Sequence, residues 1–188
     1  MKNVFIDIGT NLMQGFKQIS SLNGIDENWL KIFVEPNPEC WEYIDAHTIN
    51  VGDFVFYKNA MNTIPGTVNL VTRPDIKSDL AATIMGKDYL DTMLAKFGIS
   101  INDHKHYEIE AITWDNILSN VNSGDNVIIK IDAEGIEYEI LNQLLDRNID
   151  FNIVKVYCEF HVLNNEHKLR KEELLARWPK NIELINWH

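Results

Sequence analysis

Two short apolar runs constrain this chain most. Val4, Phe5, Ile6 and Ile8 near the amino terminus, and Val127, Ile128, Ile129 and Ile131 in the block NVIIKI, lack the polar alternation of a strand with one wet face. Runs of this kind suit strands of a parallel sheet covered on both sides. Each passes directly into a polar turn holding acids and a glycine, Asp7-Ile8-Gly9-Thr10-Asn11 in one case and Asp132-Ala133-Glu134-Gly135 in the other. In an open α/β sheet, ligands bind in the crevice outside the carboxyl ends of the strands, so both turns are site candidates.

The first turn is not a phosphate loop. It has neither G-x-x-x-x-G-K-[ST] nor Gly-x-Gly-x-x-Gly, since the glycine after Gly9 is Gly15, already inside the predicted helix. An acid within the turn would repel a pyrophosphate. It suits a ligand that is cationic or rich in hydrogen-bond donors, such as an amino acid or a sulfonium.

Between these runs the pattern alternates strand and helix. Leu12–Leu22 reads as a helix ending at Asn23-Gly24, and Lys31–Val34 as a strand running into Glu35-Pro36-Asn37-Pro38, where Asn37 can cap a helix over Pro38–Ala46. Asp53–Tyr57, Gly66–Thr72 and Tyr107–Thr113 read as further strands. Arg73–Gly86 is expected to be a loop closing on the site, and Lys87–Phe97 and Trp114–Val121 are expected to be helices. After the strand Asn126–Ile131 come a helix over Ile136–Leu145, a strand over Asn152–Cys158, a helix over His167–Trp178 and a terminal strand over Ile182–Trp187. In the helix after Gly135, Glu137 and Glu139 are expected on the surface.

At 188 residues the chain is expected to form a single domain, 1–188, with a substantial core. No apolar run approaches the roughly 18 residues that span a membrane, and the amino terminus shows no secretory leader pattern, so a cytoplasmic protein without membrane association is expected. The two cysteines, Cys40 and Cys158, lack metal-ligand spacing; His104 and His106 alone are weak evidence for a metal, and none is expected. A net charge of −11 opposes a nucleic-acid partner, which needs a basic footprint.

Four segments then form an ordered set. DIGTN at Asp7–Asn11, VEPNPE at Val34–Glu39, NAMNTIPGTVNL at Asn59–Leu70 and KIDAEGIEYEIL at Lys130–Leu141 resemble the FkbM family of S-adenosylmethionine-dependent methyltransferases. The last block is the most specific. The first departs from the usual Asp-x-Gly-Ala-Asn-x-Gly, with Thr10 for the alanine and Met13 where a second glycine is expected. The resemblance implies a doubly wound, Rossmann-like α/β methyltransferase fold with a mainly parallel seven-stranded sheet and an antiparallel closing strand. It also implies S-adenosylmethionine as cofactor, Asn59 and Ala60 beside the adenine, and a small-molecule or sugar hydroxyl as acceptor.

The residues fit such a cofactor on chemical grounds too. Asp7 and the Gly9 turn would take the methionine end, the amides of Thr10 and Asn11 its carboxylate, and Glu35 the ribose hydroxyls, as an acid at the end of the second strand does in dinucleotide-binding folds. Displacement at a sulfonium requires positioning and a group to accept the hydroxyl proton. Asp132, Glu159 and His161 are the candidates. Glu159 and His161 close one strand two residues apart, so they share a side of the sheet if the strand period persists. An RNA 2′-O-methyltransferase, with Lys130 and Asp132 as half of a Lys-Asp-Lys-Glu set, is one rival reading. A binding module that keeps the fold without turnover is another.

Overall fold

The structure, a computed structural model, describes residues 1–73, 82–96, 98 and 104–187. In chain order the elements are β1 (Asn3–Ile8), α1 (Gln14–Asn23), β2 (Leu30–Val34), α2 (Pro38–Thr48), β3 (Phe54–Tyr57), β4 (Ala60–Met61), β5 (Gly66–Thr72) and β6 (Ala82–Thr83). They continue with α3 (Lys87–Ala95), β7 (Lys105–Ile112), α4 (Trp114–Leu118), β8 (Asn126–Ile131), α5 (Glu137–Leu145), β9 (Asn152–Cys158), α6 (Asn165–Arg177) and β10 (Glu183–Asn186).

Among the described residues the central sheet has six strands, ordered β10-β9-β8-β1-β2-β3, and every pairing is parallel. The two apolar runs are neighbours at its centre, with Ile6 opposite Ile32 on one side and Ile129 on the other. Side chains alternate across the sheet. Phe5, Phe33, Ile128 and Tyr157 pack beneath Phe16 and Ile19 of α1 and Ile44 of α2. Val4, Ile6, Ile8, Ile129 and Ile131 pack on the opposite face against Trp114 of α4, Tyr138 and Leu141 of α5 and Leu174 of α6. Helices on both faces explain the unbroken apolar character of β1 and β8, since neither face meets water. Each such side chain, fully buried, is worth about 1.5–3 kcal/mol.

The α/β class with a mostly parallel sheet is as expected, but the closing strand is not. β10 runs parallel to β9, with Leu184 opposite Val156, and among the described residues the sheet has six strands rather than seven. The reason is the crossover: α6 carries the chain back along the sheet, so β10 re-enters in the same direction as β9. Strands β5 and β7 do not join the central sheet. They pair antiparallel with each other, Val68 opposite Ile109, in a second sheet ordered β4-β7-β5-β6. Of the segment expected to be a loop over Arg73–Gly86, residues 74–81 lie outside the described residues, and Ala82–Thr83 is a short strand.

Local signals set several helix ends. Asn37 caps α2 by accepting from the Glu39 amide at 3.1 Å, with Pro38 in the first turn, and Gly24 closes α1 at φ 64°. Helix α1 begins at Gln14, two residues later than its apolar spacing suggests, because Met13 is left-handed at φ 62°. No helix among the described residues is long and apolar enough to cross a membrane.

Candidate functional site

The turn after β1 locks onto the end of β2. The amides of Gly9 and Thr10 both donate to the Val34 carbonyl, at 2.9 and 3.1 Å, and the Asn11 amide donates to Glu35 Oε2 at 2.7 Å. Glu35 Oε1 accepts from the Asn37 amide at 2.8 Å. One carboxylate therefore ties the β1 turn to the amino terminus of α2. Burial pushes the Glu35 carboxyl up to about 7, although both amide hydrogen bonds work in the other direction. The amides of Thr10 and Asn11, expected to hold a ligand's carboxylate, are thus engaged inside the protein.

Gly9 cannot carry a side chain. It has φ 74°, and a Cβ there would lie 1.7 Å from the Asp132 carbonyl oxygen, so the glycine lets the β1 turn press against the end of β8. Met13 stands where the family pattern has a second glycine and keeps the left-handed backbone that a glycine would adopt. Its side chain is buried with Phe5 and Phe16, beneath α1.

Asp7 and Lys130 lie fully buried on the α1 face of the sheet. Lys130 Nζ is 3.3 Å from Asp7 Oδ1 and 3.4 Å from Asp132 Oδ2, and it also donates to the Gly9 carbonyl. Burial pushes the Asp7 carboxyl up to about 6, while the adjacent ammonium holds it down. Burial disfavours the Lys130 ammonium, but Asp7, Asp132 and Glu35 outweigh that and keep it charged. Asp7 therefore acts beneath the turn and is not part of the cleft wall.

The cleft lies at the carboxyl ends of β1, β2 and β8, the position at which open α/β sheets bind ligands. Gly9, Asn11 and Glu35 line one side and Asp132 and Glu134 another. Ala60, Met61, Leu70, Ala82 and Ile84, largely from the second sheet, give it an apolar wall. Of the two residues assigned to the adenine, Ala60 is in this wall, whereas the Asn59 amide donates to the Glu110 carbonyl at 3.0 Å and does not line the cleft. Thr10 is buried, its hydroxyl donating to the Asp7 carbonyl at 3.0 Å. Met61, Leu70 and Ile84 were not singled out in the sequence. Alternation marks β5 as a strand but carries no sign of which cavity it covers.

Beyond the cleft wall, the ends of β8 and β9 bring together an ionisable cluster. His161 Nδ1 is 2.8 Å from Glu137 Oε1, and His161 Nε2 is 3.0 Å from Glu134 Oε2 and 4.0 Å from Glu159 Oε1. Burial opposes the charged ring, but the adjacent carboxylates of Glu134 and Glu137 outweigh it and push its pKa well up. The expected near-neutral histidine is therefore corrected: both ring nitrogens face carboxylates, so His161 is an imidazolium without a lone pair for a proton. Glu137 is also corrected. It is fully buried, not on the helix surface, and accepts from the amides of Ala133 and Gly135 as well. Glu139 does stay half-exposed, paired with Arg170. Burial, with Asp132 close by, pushes the Glu159 carboxyl up to about 7 against the pull of His161.

These features fit S-adenosylmethionine in kind. Glu35 lines the cleft and its carboxylate has acceptor capacity beyond the two amides it binds, and the apolar wall suits contact with a flat base. No curated protein and no solved structure matched the chain. The Methyltransferase FkbM domain matches residues 7–182, and the chain belongs to the FkbM methyltransferase family.

Proposed function

We propose that this methyltransferase uses S-adenosylmethionine to methylate an oxygen of a small molecule or sugar in the cytoplasm. The observation that carries the reading is the cleft between the Gly9 turn and Glu35, closed by an apolar wall on one side and by Asp132 on the other. The cofactor supplies an electrophilic methyl group on a sulfonium. The protein's part is to hold the ribose by Glu35, seat the base against Ala60, Met61 and Leu70, and keep the backbone of Gly9 close to the methionine portion. Asp132 and Glu159 border the acceptor side, where a carboxylate can orient a hydroxyl and accept its proton. His161, paired with Glu134 and Glu137 and 4.0 Å from Glu159, holds that edge of the site instead of acting as the base. The net charge of −11 disfavours an RNA acceptor.

Calorimetric titration with S-adenosylmethionine tests the cofactor. Wild type is expected to bind it, and Glu35→Gln to bind at least tenfold more weakly, the scale of a hydrogen bond to a charged group. A wild type that shows no binding heat and no thermal stabilisation by the cofactor would sink the reading, leaving a binding module on a methyltransferase fold.

A further inference from the structure

We propose that Asp132, Glu134 and His161 form a binding site for one divalent first-row metal ion at the carboxyl ends of β8 and β9. One ligand atom from each of the three lies within 4.8 Å of the others, and Glu134 Oε2 and His161 Nε2 are 3.0 Å apart. That separation is the edge of a coordination shell whose bonds are about 2.1 Å long. The three residues come from two separate strand ends. Asp132 and Glu134 also face the cleft, which leaves the ion's remaining positions open to it.

The histidine is arranged as a metal ligand usually is. Its Nδ1 donates to Glu137 Oε1 at 2.8 Å, and that carboxylate is fixed by the amides of Ala133 and Gly135 at 3.1 and 3.0 Å. A buried carboxylate behind the ring holds its orientation and turns Nε2 toward the other two acids, the carboxylate–histidine–metal arrangement. This backing bond makes His161 more than another member of an acidic patch.

Charge points the same way. Glu134 and Glu159 face one imidazole nitrogen and Asp132 lies within 4.8 Å, and Glu134 Oε2 is sealed from solvent without a properly formed hydrogen bond despite its ion pair. A cation between Nε2 and Oε2 would satisfy both atoms. On binding, the Nε2 proton leaves to solvent and the metal–nitrogen bond takes its place. Two carboxylates and one imidazole suit Mn²⁺ or Fe²⁺ better than Ca²⁺, which favours all-oxygen sites. If methyl transfer to oxygen holds, the acceptor's hydroxyl would occupy an open position on the ion; only this last step rests on the proposed function.

Binding is measured without cofactor or acceptor, so its outcome is separate from that of the cofactor titration. Protein stripped with a chelator is titrated with Mn²⁺ and followed by electron paramagnetic resonance. Wild type is expected to bind one Mn²⁺ per chain and to show electron-spin-echo modulation from a single directly bound nitrogen. Glu134→Gln should weaken binding at least tenfold, while Asp45→Asn, on the surface beside Lys58, should leave it unchanged. His161→Gln should abolish the nitrogen modulation. If that variant does not fold, the wild-type modulation and Glu134→Gln still decide. No saturable binding up to millimolar Mn²⁺, no nitrogen modulation in wild type, or wild-type affinity in folded Glu134→Gln would overturn the site.

Discussion

Glu137 and His161 meet at 2.8 Å across the sheet's carboxyl edge, the glutamate fully buried and the ring's other nitrogen held by Glu134. Helix α5 and the segment after β9 are thereby joined by a charged hydrogen bond. Its partners are 24 residues apart in sequence.

Removing one side of that contact should be costly. Glu137→Ala leaves the Nδ1 proton and the amides of Ala133 and Gly135 without their acceptor, although Glu134 still faces Nε2, and a loss of about 2–4 kcal/mol is expected. Urea unfolding followed by circular dichroism measures it. A loss below 1 kcal/mol would mean that the contact contributes nothing to the fold.

Glu35 should impose a pH dependence. Its folded pKa of about 7 lies above its ordinary value of 4.5, so through that window the folded protein keeps a proton that the unfolded chain releases. The contribution is fully present below about pH 4.5 and is lost as pH rises through 7. Between pH 4.5 and 8 wild type should lose roughly 3 kcal/mol relative to Glu35→Gln. Unfolding of both proteins at several pH values checks it, and parallel stability curves would refute the shift.

Gly9→Ala should fail for steric reasons. The added Cβ has nowhere to go against the Asp132 carbonyl, and the backbone is already at φ 74°. A destabilisation of about 3 kcal/mol or more is expected, with the β1 turn pushed off β8. Thermal unfolding gives the size. A variant as stable as wild type would show that the two turns do not pack this closely.

Met13→Gly separates two opposed effects. The glycine relieves a left-handed backbone worth about 1 kcal/mol, but it removes a buried side chain at a typical cost of about 2–5 kcal/mol. Net destabilisation of about 1–4 kcal/mol is expected. Affinity for S-adenosylmethionine should stay the same, since Met13 packs in the core beneath α1 and not in the cleft wall. A gain in stability, measured by denaturant midpoint, would show that the backbone term dominates.

Much of this architecture is local and so is legible in the chain itself. The apolar runs of β1 and β8, the Asn37 cap, the Gly24 stop and the order of strands and helices each depend on contacts within one element or turn, where residue spacing has a direct physical meaning. The acids at the strand ends are legible for the same reason: Glu35, Asp132 and Glu159 each follow an apolar strand, and Asp7 is the next-to-last residue of one. Their partners are not. That the Asn11 amide is taken by Glu35, that Lys130 sits between Asp7 and Asp132, and that Glu137 turns inward to His161 depend on which strand ends the sheet order places side by side. Residue spacing records where a side chain leaves its own element. Burial and charge pairing, which depend on what arrives from elsewhere, converted a predicted surface acid into a core ligand of an imidazolium, and the α6 crossover set the direction of the last strand.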